Sequence, residues 1–134
     1  MVLDSFCRDF SKQHGIGATL TYEGNLKQIP ATVRIALFRV LQEAMGNVAK
    51  HSGADRATVA VRIQGDRAIL RVTDQGLGFE NENHGLGLIS MRERVEALGG
   101  SFSVRSRKDG GTRIDVRVPL VDDARQGVPL EAVT

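Results

Sequence analysis

Ala68-Ile69-Leu70-Arg71-Val72-Thr73-Asp74, followed at once by Gln75-Gly76-Leu77-Gly78-Phe79, is the stretch on which the fold turns. The first seven residues alternate as a strand with one buried face does. Leu70 and Val72 share that face, and Asp74 has their parity, so the pleat aims its carboxylate at the apolar side. A buried carboxylate is costly unless something pairs with it. Thr112 repeats the pattern at the start of a later strand, where Ile114, Val116 and Val118 face inward. Strand-end fraying accounts for either residue taken alone. Two such ends beside glycine-rich turns instead predict a polar pocket at one end of the core.

Outward from this strand the remaining elements follow from periodicity. Gly65-Asp66 is a two-residue hairpin signal joining a strand near 55–64 to the strand over 67–74. Before it, Pro30 opens a long helix with Ile35, Leu37, Phe38, Leu41, Ala44, Met45 and Val48 as apolar positions and Gly53 past its end. Leu3, Phe6, Cys7 and Phe10 form the stripe of a short first helix, and Ala18 to Tyr22 reads as a strand. Residues 75–84 form a polar, glycine-broken loop. Beyond it Leu88, Met91, Val95 and Leu98 define a helix stopped by Gly99-Gly100. Strands near 101–107 and 112–119 flank the turn Lys108-Asp109-Gly110-Gly111. The order α-β-α-β-β-α-β-β predicts an α/β two-layer sandwich, a mixed and mostly antiparallel sheet covered on one face by helices. Residues 1–120 make one domain, and 121–134 are expected to be a flexible tail.

Composition narrows the function. The chain has 134 residues, 41% of them apolar and 25% charged, which suits one globular domain. Its net charge of +2 shows no basic field for nucleic acid, and six aromatics leave no stacking platform for single strands. No apolar run approaches the ~20 residues of a membrane span, and no leader-like segment follows Met1. The lone Cys7 excludes an intrachain disulfide framework and a Cys-rich zinc site. No histidine pair has zinc spacing.

Two further groups carry chemistry. Glu43, Asn47, Lys50 and His51 lie at i, i+4, i+7 and i+8 of the long helix, one polar stripe. A solvated helix face is the ordinary reading of such a set. Against it stand Asn47, a poor helix-interior residue, and the mixture of acid, amide and base. An amide oxygen suits Mg²⁺, which keeps several waters and takes other ligands from phosphate. Lys50 is able to meet phosphate charge, and Glu43 to accept a proton or order a water. The second group is Gly76 and Gly78 with Gly85 and Gly87, which let backbone approach a ligand and free N–H groups face phosphate at a helix start. The dinucleotide fingerprint is incomplete, and no Walker A motif occurs.

Together these pieces resemble the ATP-binding domain of the gyrase, Hsp90, histidine kinase and MutL superfamily, the Bergerat fold. Residues Leu37 to His51 look like its N box, Asp74 to Phe79 its G1 box, Gly85-Leu86-Gly87-Leu88 its G2 box, and Gly110-Gly111-Thr112 its late Gly-Gly-Thr signature. Within the superfamily, Gly87 to Gly100 with its Met91-Arg92-Glu93-Arg94 element resembles sensor histidine kinases of the nitrate-sensor and desaturase-sensor type. Anti-sigma-factor serine kinases are similar only in part.

The resemblance implies ATP and Mg²⁺ as ligands. It implies that Asp74 accepts the adenine amino group with Thr112 in support, that Asn47 binds Mg²⁺, and that Lys50 reaches the phosphates. His51 would line the nucleotide. Gly76 and Gly78 would leave room at the purine, and Gly85, Leu86, Gly87 and Leu88 would shape the lid and the phosphate-facing helix start. Glu43 matches the water-activating glutamate of the ATPases. None of His14, His51 or His84 precedes an acid, so the phospho-acceptor motif of the dimerising hairpin is not in this chain. The expectation is a cytoplasmic catalytic domain of a membrane-linked sensor. Its partners would be a phospho-acceptor domain and a response regulator, with no nucleic acid and no direct membrane contact. A nucleotide-gated binding module is the alternative from another class.

Overall fold

The computed structural model describes residues 2–78 and 87–120. Along the chain run α1 (Val2–His14), β1 (Gly17–Glu23), a 3₁₀ turn (Leu26–Gln28), α2 (Ala31–Asn47), a π-helical turn (Val48–Ser52), β2 (Arg56–Gln64), β3 (Arg67–Asp74), α3 (Leu88–Glu96), β4 (Ser101–Ser106) and β5 (Thr112–Pro119). This is the expected order. The expected tail, 121–134, lies outside the described residues.

The five strands form one sheet in the order β1-β2-β3-β5-β4. Only β1 and β2 pair in parallel, with α2 as the crossover between them; every other pairing is antiparallel. α1 packs over β1, α2 over β3, and α3 over β4 and β5. The core lies between the helices and the inward parity of the strands, with Val40, Leu41 and Met45 of α2 against Val59, Leu70, Val116 and Val118. Phe6 of α1 meets Phe38 of α2 edge-on at 5.5 Å between ring centroids, which ties the first two helices together. Ser11 accepts the Ala18 N–H at 3.0 Å and fixes the exit from α1 into β1.

Two expectations for α2 are corrected. Ile35 is 61% exposed, and the buried stripe is Val33, Ala36, Leu37, Val40, Leu41, Ala44 and Met45. Ile35 falls two residues after Val33, about 200° around the helix, which turns it away from the sheet. The α-helix also ends at Asn47, and the chain makes a wide π turn before Gly53 adopts φ +69°. The polar stripe is therefore not continuous, because a π turn resets the spacing after Asn47.

Candidate functional site

The register sets Asp74, the last residue of β3, between Ala57 of β2 and Thr112 of β5, with Ser106 of β4 beyond Thr112. Asp74 is 6% exposed, the one buried charged or polar residue among the described residues. Its Oδ1 accepts the Gly76 N–H at 2.8 Å, and the backbone N–H of Thr112 also bonds the carboxylate. Burial pushes its pKa above the ordinary aspartate value, and the two N–H bonds oppose that shift. No cationic side chain pairs with it among the described residues. The parity argument thus placed the carboxylate rightly, but its partners within the protein are backbone donors.

Thr112 is half-buried, and its hydroxyl lies 2.8 Å from that of Ser106. Ser106 was not singled out from the sequence, although it shares the inward parity of Phe102 and Val104. Beneath this polar row two glycine-rich loops interlock. Gly111 has φ +81°, and a Cβ there would collide with the Asp74 carbonyl and lie 3.2 Å from Gln75 Cα. Gly78 has φ +67°, and a Cβ there would collide with the Arg107 carbonyl. The Asp109 N–H donates to the Leu77 carbonyl, and the Arg107 N–H to the Gly111 carbonyl at 3.3 Å. Gly78 is therefore needed by the protein's own backbone packing.

The helix side supplies the other residues. Glu43 is exposed, and its carboxylate fills the place a Cβ at Gly87 would take, with Glu43 Cδ 2.7 Å from it. Gly87, with φ +71°, precedes α3 and provides no side-chain cap, so the first N–H groups of α3 lie beside Glu43. Leu88 is buried beneath them. Asn47 closes α2 half-buried, while Lys50 and His51 stand exposed on the π turn. Leu77, 58% exposed, bridges the two sides: a Cβ at Gly53 would sit 3.6 Å from its Cδ1. Gly85 and Leu86, with the rest of loop 79–86, lie outside the described residues.

A glycine-lined sheet end with a buried acceptor thus lies beside a polar helix end and a helix start without a side-chain cap. The chain belongs to the histidine kinase-, DNA gyrase B-, and HSP90-like ATPase family, which it matches over residues 32–122. It is 32% identical over 124 residues to the signal transduction histidine-protein kinase/phosphatase DegS of Brevibacillus brevis, covering 90% of this chain and 32% of that protein. It is 40% identical over 96 residues to the sensor protein VraS of Staphylococcus epidermidis, covering 69% of this chain and 28% of VraS. The chain therefore spans about a third or less of these relatives. Its fold matches the blue-light activated histidine kinase of Erythrobacter litoralis EL346 with a TM-score of 0.70 at 20% identity, over 94% of this chain and 42% of that one. It also matches the catalytic domain of the histidine kinase ThkA with a TM-score of 0.66 at 17% identity, over 92% and 95%.

Proposed function

We propose that the chain is the ATP-binding catalytic domain of a sensor histidine kinase. It presents Mg-ATP to a histidine on a dimerisation domain, from which the phosphoryl group passes to an aspartate of a response regulator. The observation that carries this reading is Asp74: a buried carboxylate with backbone donors on its protein side still has acceptor capacity for an exocyclic amino group. Adenine presents such a donor, and guanine presents a carbonyl oxygen in its place. Asp74 thus selects the base, with Thr112 and Ser106 beside it and Gly76 admitting the purine.

At the other end, Lys50 and the first N–H groups of α3 meet the phosphates, and His51 lines the nucleotide. Gly87 lets α3 start close to Glu43. Asn47 would hold Mg²⁺ through its amide oxygen, a hard ligand of the kind that ion takes beside waters and phosphate oxygens. Mg²⁺ held there would supply charge neutralisation at the phosphates. Transfer forms a bond from the acceptor histidine's ring nitrogen to the γ-phosphorus and breaks the bond to the β–γ bridging oxygen, releasing ADP. Positioning and charge neutralisation by these residues supply the catalysis. Glu43, beside the start of α3, would accept a proton or order a water.

No helix among the described residues is long and apolar enough to cross a membrane, and the domain is proposed to be cytoplasmic. The test is trans-phosphorylation with γ-³²P-ATP and a separately produced hairpin fragment bearing the phospho-acceptor histidine of a VraS-type kinase. Acid-labile, base-stable label should appear on the hairpin alone. Tight ATP binding with no label on any such hairpin favours the nucleotide-gated module instead.

A further inference from the structure

The face of the sheet opposite the helices carries almost one sign of charge. In the residues of outward parity, consecutive rows across the strands read Arg62–Ile69–Arg117, Ala60–Arg71–Asp115 and Thr73–Arg113–Arg105. Arg62, Arg71, Arg105 and Arg117 are exposed, and Arg113 is half-exposed. Among the described residues two acids share the face: Glu23, beside Arg62 at the β1 edge, and Asp115, clamped by Arg71 Nε at 2.6 Å and Arg113 Nε at 2.9 Å. One carboxylate thus orders two guanidinium groups through their Nε atoms, and each guanidinium carries further N–H donors on its Nη atoms. Ile69 is only 5% exposed although it faces outward. Its register neighbours Arg62 and Arg117 are placed to cover it with their methylene stems and raise their charged heads above it.

The chemistry of this face selects its occupant. Among the described residues, the exposed large hydrophobic residues, Tyr22, Ile35, Leu77 and Ile89, lie on the inward end of β1, on α2, in the glycine loop and on α3. None offers the open face an anchor of the kind that dominates protein–protein interfaces, or a ring on which a single-stranded base would stack. A second copy would repel. What remains is a field of arginines, about 14 Å across the four strands β2, β3, β5 and β4, whose forked donors match phosphate oxygens. We infer that the open sheet face is a docking surface for an anionic phospholipid bilayer. This departs from the expectation of no direct membrane contact: although the net charge is only +2, the fold gathers arginines on one face. The nucleotide site lies on the helix side and stays open in the docked state, so this inference stands or falls apart from the kinase reading.

The test is co-sedimentation of the full chain with vesicles of phosphatidylcholine alone or with 30 mol% phosphatidylglycerol, at two salt concentrations. Binding should require the anionic lipid and weaken steeply with salt. Each arginine near an anionic surface contributes roughly a factor of five, so Arg62→Gln with Arg117→Gln should lower affinity about 25-fold, with ATP binding and melting temperature unchanged. Arg34→Gln with Arg39→Gln, the same charge change on α2, should have little effect. Equal binding to both vesicles, no binding at low salt, or equal losses in the two double variants would overturn the inference. So would stronger retention on poly-glutamate or duplex DNA, which would assign the face to an acidic protein or to nucleic acid.

Discussion

Replacing Asp74 by Asn changes one oxygen to an amide nitrogen at the base of the proposed adenine pocket. The carboxylate already accepts N–H groups from Gly76 and Thr112. An amide has one oxygen, and if that oxygen keeps these donors its NH₂ faces the adenine amino group, donor against donor. A hydrogen bond to a charged acceptor contributes about 1.5–3 kcal/mol, and the opposed donors push the loss to the upper end, about 100-fold in ATP affinity. The same NH₂ suits the guanine carbonyl, so the preference for ATP over GTP should collapse further than ATP affinity alone. Stability should not suffer. Burial raises the Asp74 pKa, so the ionised carboxylate destabilises the fold at neutral pH, and a neutral amide removes that burden. Calorimetric titration with ATP and GTP, beside a thermal melt, separates these effects. ATP affinity within threefold of the parent, in a variant that melts normally, would remove Asp74 from the adenine.

Other outcomes follow from neighbouring groups. Because burial holds the Asp74 pKa above its ordinary value of 3.8, the proton bound in the folded state favours folding below that raised pKa, and this contribution is lost as pH rises through it. Relative to Asp74→Asn, the parent should gain melting temperature as pH falls from neutral toward 4; parallel curves would contradict this. Gly111→Ala forces a side chain into φ +81° against the Asp74 carbonyl and should cost about 1–3 kcal/mol, read in a urea melt; an unchanged midpoint refutes the packing of the two loops. Lys50→Met should weaken ATP about tenfold or more and adenosine less than twofold, since only ATP carries phosphates. Equal losses would move Lys50 away from the phosphates. Asn47→Ala should shrink the gain in ATP affinity on adding Mg²⁺, and an intact gain would dissociate Asn47 from the metal.

Much of this architecture is legible in local pattern. The order of the elements and the inward aim of Asp74 follow from parity and from glycine placement, because both depend on residues close in the chain. What escapes is what depends on partners far apart. That β5 lies between β3 and β4, which brings Ser106 and Thr112 into one row with Asp74, needs the register. The π turn after Asn47 leaves no composition signal in Val48-Ala49-Lys50-His51-Ser52, so the polar stripe reads as unbroken. Ile35 reads as core because apolar residues fill most of the surrounding positions, whereas the angle from Val33 decides its exposure. The meeting of Glu43 with Gly87 joins segments that only the packing of α2 on α3 brings together.

The most direct measurement is isothermal titration of the unmodified chain with ATP, ADP and GTP, with and without Mg²⁺. Micromolar, adenine-selective binding that Mg²⁺ strengthens for ATP is the expected result. Equal affinity for ATP and GTP, or no heat with any nucleotide while the chain melts cooperatively, would contradict an adenine pocket built on Asp74.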